Sequence, residues 1–250
     1  MTGDGPGRLF HGTSGFAYPG WAPGFYPDGL RPDQLLPAYA ALLPACELNN
    51  TYYRWPTTER VADWAAATPS GFRFTVKAQR TASIRALGPA APAEVARLTA
   101  PLGAFGDRLG SVLLRVPDEV QRADERLAAF LGAWPRAVPL TLELQHPSWQ
   151  ADETFAALRE HGVVLCATEL PEDEEPPTIR LTGRFLYLRL RRHDYSGMEL
   201  AAWAARIEPF LVAGRDAYVF FRHDAVGRGA ELAMSLRGEI ERLITAHGRG

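Results

Sequence analysis

Eight short runs rich in β-branched, aromatic or leucine residues recur along the chain, centred near Phe10, Cys46, Phe74, Leu113, Leu142, Leu165, Leu188 and Val219. Segments with helical periodicity separate them. The mean spacing is about 30 residues, the length of one strand–helix unit. Eight such units fill the 250 residues, and that arithmetic predicts an α/β protein, a (β/α)8 TIM barrel. A doubly wound sheet would alternate in the same way. It commonly has fewer strands and a Gly-rich phosphate turn after the first. No GxGxxG is present, because Gly3, Gly5 and Gly7 precede any strand. The expected organisation is a loose Gly/Pro-rich tail over residues 1–7 and a single barrel domain over 8–250. The tail has no signal-peptide core.

Several helices carry end signals. Ser196 and Glu199 have capping-box spacing, Leu200, Trp203, Ala204, Ile207, Phe210 and Leu211 follow at helical period, and Gly214 closes the run. Leu232, Leu236, Ile240 and Leu243 form a similar stripe near the end. The sixth unit is the exception. Pro171 to Pro177 is acidic and Pro-rich, so a solvated loop is expected there, with the sixth helix short or missing.

Buried parallel strands normally read as unbroken apolar runs, because both faces are covered. These runs alternate instead. Phe72, Phe74 and Val76 interleave with Arg73, Thr75 and Lys77; Leu186, Leu188 and Leu190 interleave with Tyr187, Arg189 and Arg191. Glu47 and Asn49, Ser111 and Arg115, and Thr141, Glu143 and Gln145 are the polar sets of three further strands. Period two places each set on one face. With the apolar set against the helices, the polar set points into the barrel, its later members near the C-terminal mouth. Two other arrangements share this pattern. One is an antiparallel sheet with a wet face; the other is a barrel whose inward charges form a closed structural network.

Charge sign carries further information. The chain as a whole is nearly neutral, with 27 Lys+Arg against 29 Asp+Glu, so a generally basic nucleic-acid surface is not indicated. The inward acids are Glu47 and Glu143. They face Lys77, Arg115, Arg189, Arg191 and Arg222. That excess predicts an anionic small-molecule ligand, a phosphate or carboxylate, because Arg suits bidentate binding of either. Glu47 and Glu143 are the acid/base candidates, with structural salt bridges the equal alternative. Lys77 is a third catalytic candidate, though an ion-paired or anion-binding lysine fits its neighbours better. Asn49, Tyr53, Arg115, His146, Trp149, Arg189, Arg191 and Asp224 are the candidate ligand-binding residues. No metal site is expected: HxH and HExxH are absent, and the arginines would repel a divalent cation. No cofactor is implied.

Cys46 and Cys166 sit far apart in apolar runs, as buried thiols do in a reducing compartment. No apolar run reaches the roughly 18 residues of a membrane span. A soluble cytoplasmic protein without a membrane partner is expected. Its function is expected to be that of a hydrolase, lyase or isomerase of a phosphorylated or carboxylated compound. The alternative is a non-catalytic module for a nucleotide or single-stranded nucleic acid.

The motifs carry a family resemblance. Gly12-Thr-Ser-Gly15 with Tyr18 and Trp21, Glu47-Leu-Asn-Asn-Thr-Tyr-Tyr-Arg54, Gly71-Phe-Arg-Phe-Thr-Val-Lys-Ala78, Glu143 with His146-Pro-Ser-Trp149, and Tyr187-Leu-Arg-Leu190 followed by Tyr195-Ser196 lie in order along the chain. Together, over about residues 8 to 245, they resemble the domain of unknown function 72 family, also called YecE-like. The resemblance implies a TIM barrel and brings no reaction. Pocket positions depart from the family pattern: Thr81-Ala-Ser83 stands where Thr-His is common, Arg115 where Gln is usual, and Gln145 where Arg precedes His-Pro. Arg191-Arg192 and Arg222-His-Asp224 also differ from it. These departures imply a divergent member, in which ligand specificity is open to change and catalysis to loss.

Overall fold

The computed structural model describes residues 5–247; the start of the expected tail, residues 1–4, lies outside them. The strands are β1 (Leu9–Ser14), β2 (Ala45–Leu48), β3 (Arg73–Lys77), β4 (Leu109–Val116), β5 (Leu140–Leu144), β6 (Val164–Glu169), β7 (Leu186–Leu190) and β8 (Ala217–Phe221). All eight expected runs are strands. Among the described residues they close into a barrel in chain order. The pairs β1–β2, β1–β8, β3–β4, β4–β5, β5–β6 and β7–β8 are parallel, which removes the antiparallel alternative. The helices are α1 (Leu35–Leu42), α2 (Thr58–Ala66), α3 (Arg80–Ala86), α4 (Ala91–Thr99), α5 (Asp124–Ala133), α6 (Asp152–His161), α7 (Gly197–Val212) and α8 (Arg228–His247). Among the described residues the connection from β6 to β7 holds no helix, as the Pro-rich stretch predicts. The count of eight is restored by α3 and α4, which share the β3–β4 crossover.

The chain forms two compact units. The first contains the chain up to Glu47, Ala167–Ile179 and everything from Phe185 on. Phe10 stacks on Tyr218 at 4.8 Å, and Tyr218 lies parallel to Tyr187, so β1, β7 and β8 share an aromatic inner layer. Alternation on β1 turns Thr13 the other way. The Tyr39 hydroxyl of α1 accepts from Thr13 N–H at 2.8 Å and donates to the Ala45 carbonyl at 2.9 Å, clasping β1 to β2 from outside. Gly12 faces Ala45 in the register, and any Cβ at Gly12 would overlap the Ala45 carbonyl oxygen. The expected capping box of α7 is present, with Ser196 and Glu199 bonded reciprocally. Glu169, at the end of β6, is 2% exposed. It accepts from the Tyr195 hydroxyl at 2.6 Å and the Trp203 indole at 3.1 Å. Arg206, on the same helix as Trp203, donates to the Pro177 carbonyl. These bonds secure the connection that lacks its own helix. Gly7 donates to the Leu211 carbonyl at 2.7 Å, so the described end of the expected tail is anchored.

The second unit contains Leu48–Cys166 and Arg180–Arg184. Phe74 packs on Phe105 at 4.9 Å, and Phe105 stacks on Trp64 of α2. The other face of these strands is polar: the Ser111 and Thr141 hydroxyls meet at 2.8 Å. Register places Arg115 beside Glu143. Helix α6 ends on Gly162 in the left-handed conformation, φ 66°, which glycine adopts without a Cβ penalty. Cys46 and Cys166 are both buried as thiols. No described helix is long and apolar enough to cross a membrane.

Candidate functional site

In the first unit, the C-terminal ends of β1, β7 and β8 carry a polar cluster centred on Ser14. Ser14 Oγ accepts from Arg191 Nη1 at 3.3 Å and from the His223 backbone N–H at 3.2 Å. His223 Nδ1 lies 3.2 Å from the same oxygen. The two N–H donors cannot take the hydroxyl proton, whereas a neutral imidazole can, through Nδ1. Burial pushes the His223 pKa down, and the charges of Arg191 and Arg222 push it further in the same direction. The imidazole is therefore neutral near pH 7 and sits in a positive field. Tyr18 stacks on it at 4.9 Å, with rings 5° apart, and donates its hydroxyl to the Ser14 carbonyl at 3.2 Å. Arg222 Nη1 lies 3.3 Å from Nε2 of the exposed His193.

Ser14 itself is fully buried. It ties Arg191 and His223 together and offers no surface of its own, so it is a positioning residue. Arg191, Arg222 and His223 are half-buried and reach solvent.

Glu47 and Arg189 lie in the same unit. Arg189 Nη2 donates to Glu47 Oε1 at 2.9 Å and Nε to Oε2 at 3.0 Å; the Tyr187 hydroxyl also donates to Oε2, at 2.8 Å. Glu47 is 0% and Arg189 2% exposed. That is the geometry of a structural salt bridge: both carboxylate oxygens are occupied, and neither side chain reaches solvent. Asp224 is committed as well. Its carboxylate accepts from the backbone N–H groups of Val226, Gly227, Arg228 and Gly229, capping α8. Burial would raise the Asp224 pKa, but these donors outweigh it and hold the carboxyl below its usual range. Because Asp224 occupies the helix amides, any anion bound nearby must rely on side chains.

The second unit holds the remaining sequence candidates. Arg115 Nε lies 3.6 Å from Glu143 Oε2, an ion pair too long for a hydrogen bond. Lys77 Nζ stands 5.0 Å above the Tyr52 ring. Asn49 is half-buried just before a 3₁₀ turn over Asn50–Tyr52, and Tyr53 is 84% exposed after it. His146 Nδ1 accepts from the Ser148 N–H at 3.1 Å, capping its own loop. Trp149 is fully buried and donates its indole N–H to the Val120 carbonyl at 2.8 Å. It presents no ring face to a ligand. Among the described residues no group of three or more His, Cys, Asp or Glu could hold a metal ion.

Sequence reasoning did not single out Tyr18, His193 and His223 as site candidates, and it met Ser14 only within the Gly12–Gly15 motif of the family resemblance. The signal for them was adjacency: Ser14 ends the first strand, and both histidines follow arginines at the ends of the seventh and eighth.

Comparison with known proteins agrees with this architecture. A DUF72 family protein from Thermotoga maritima MSB8 is 26% identical, with TM-score 0.78, covering 94% of this chain and 99% of its own. A DUF72 family protein from Enterococcus faecalis V583 is 21% identical, with TM-score 0.73, covering 94% of this chain and 98% of its own; it shows the fold alone. A GH30 endoxylanase from Clostridium papyrosolvens C71, 10% identical with TM-score 0.53, covering 94% of this chain and 72% of its own, likewise shares only the fold. No curated protein matches the chain. The model described as "Protein of unknown function DUF72" matches residues 10–247, and the chain belongs to that family.

Proposed function

We propose that the ends of β1, β7 and β8 bind the anionic group, a phosphate in the first place, of a small metabolite. One observation carries this reading: Arg191 and His223 converge on buried Ser14, with Arg222 and His193 in contact beside them. In barrels of this class, phosphate is frequently held by the loops after strands seven and eight. Burial first, then the charges of Arg191 and Arg222, hold the His223 pKa down, and these two half-buried guanidinium groups suit phosphoryl oxygens. A carboxylate would meet the same donors with fewer acceptor oxygens.

Hydrolysis, elimination or isomerisation of such a ligand would require an acid/base group. That group would have to stand at the same strand ends. The buried thiols support a reducing, cytoplasmic setting.

A thermal-shift series tests the reading. Phosphate and sulfate should raise the melting temperature more than chloride at matched ionic strength, with acetate weaker. At a hundredfold excess over Kd the gain is about 2.7 kcal/mol. Arg222→Ala should remove most of it. An equal response to all four salts would end the proposal. Stabilisation by single-stranded oligonucleotides alone, with a steep salt dependence, would replace it with the nucleic-acid reading.

A further inference from the structure

We propose that the second unit carries a ligand site of its own, for a small amino-carboxylate zwitterion, in the cleft beyond the ends of β3, β4 and β5. The cleft measures about 240 Å3, and Tyr52, Arg80, Arg115, Asp118, Glu119 and Gln145 line it. That space admits a small organic molecule and not only single waters.

The charges select the ligand class. Arg80 and Glu119 are ion-paired with each other, so they cancel. Arg115 and Asp118 remain. Arg115 turns Nε toward Glu143. No described residue bonds its two terminal nitrogens, and the side chain is 39% exposed. That edge of the guanidinium is the fork that accepts a carboxylate through two parallel bonds. Asp118 stands in the turn after β4, exposed, with no ion pair or hydrogen bond among the described residues. It supplies the matching site for an ammonium group. A plain carboxylate would meet repulsion from Asp118, and a plain amine would meet repulsion from Arg115. Only a molecule with both charges satisfies both ends.

The remaining lining fits the same class. Lys77 Nζ covers one face of the Tyr52 ring at 5.0 Å, the rest of the ring offers apolar surface for methylene groups, and the Gln145 amide offers either a donor or an acceptor. Only three peptide units separate Arg115 from Asp118, a chain span of at most about 10 Å. The ligand charges must therefore be close, separated by a few carbons. The site belongs to a different unit from the Ser14 cluster and does not depend on the anion reading.

Calorimetric titration of the full chain decides the matter. The probes are glycine, β-alanine and 4-aminobutyrate, with butyrate and butylamine as single-charge controls. At least one zwitterion should bind about tenfold more tightly than either control, a difference of about 1.4 kcal/mol. Asp118→Asn should reduce that zwitterion to the level of butyrate; the residue is exposed, so a melting curve will confirm that the fold survives. Arg115→Lys keeps the charge beside Glu143 and loses the fork, and it should weaken the zwitterion and butyrate together. The proposal is overturned if no zwitterion binds, if butyrate binds as tightly as the best of them, or if Asp118→Asn leaves the preference unchanged.

Discussion

Arg189 and Glu47 lie 142 residues apart in sequence and form two parallel hydrogen bonds inside the first unit, at 2.9 and 3.0 Å. Tyr187, two residues before Arg189 on the same face of β7, adds a third bond to the same carboxylate. The pair therefore joins the second strand to the seventh. A fully buried ion pair is tolerated only when its hydrogen bonds are complete, because desolvation rivals the attraction. Here both carboxylate oxygens are engaged.

Removing one partner should accordingly be worse than removing both. Glu47→Leu or Arg189→Met alone should cost about 3–5 kcal/mol, since each strands a buried charge. The double change Glu47→Leu with Arg189→Met should recover a large part of that loss. Urea unfolding of the three variants measures it; additive losses would show that the pair does not act as a unit.

Acid should destabilise the protein through His11. The ring is 3% exposed, and among the described residues neither nitrogen has a partner at good hydrogen-bond geometry. Burial first, then the charge of Arg237 on α8, lowers its pKa to about 4. The unfolded chain binds the proton near pH 6.5 and the folded chain only near 4, so stability falls as pH drops through that window. The full loss is about 3 kcal/mol. Urea midpoints of wild type and His11→Leu, compared at pH 7 and 4.5, should differ in pH slope. Parallel slopes would remove His11 from the account.

Sulfate stays divalent across the neutral range, which makes it a clean probe of His223. An anion beside the imidazole favours its protonated form, which burial and the two arginines otherwise disfavour. Sulfate affinity should therefore rise as pH falls from 7.5 to 5.5, by up to about tenfold per unit if one proton is taken up. His223→Gln should flatten that dependence. A flat wild-type profile would mean that His223 does not face the anion.

Asp224→Ala removes a carboxylate that caps four backbone amides. A cap of this kind is worth about 0.5–2 kcal/mol, and the same change deletes a negative charge next to Arg222. Stability should fall while sulfate affinity rises. If both fall, Asp224 supports the anion site in some way other than capping.

The barrel was legible because its signal is repeated. Each strand is short, but eight strand-like runs at one spacing exclude most other architectures, and the Pro171–Pro177 stretch marks the connection without a helix. Strand parity correctly grouped Tyr187 with Arg189 and Ser111 with Arg115. Parity says nothing about which partners complete a charge. Glu47 reads as an acid/base candidate in one dimension, and only the side-chain bonds from Arg189 and Tyr187 of β7 show it enclosed. Trp149 and Asp224 were singled out by residue type, yet one fills a loop core and the other caps a helix. Ser14, His193 and His223 stayed unassigned because their meaning lies in the meeting of the first strand's end with residues 177 and 209 positions further along the chain.

The chain from Glu174 to Pro176 is exposed and has no helical hydrogen bonds of its own. Its neighbours are held by Glu169 on one side and by Arg206 on the other. New termini placed there would break no helix and no strand pairing. That makes this crossing the natural point at which to open the chain for circular permutation, or to divide it into two fragments that reassemble. The packing of α7 over Glu169, rather than covalent continuity, would then close the ring.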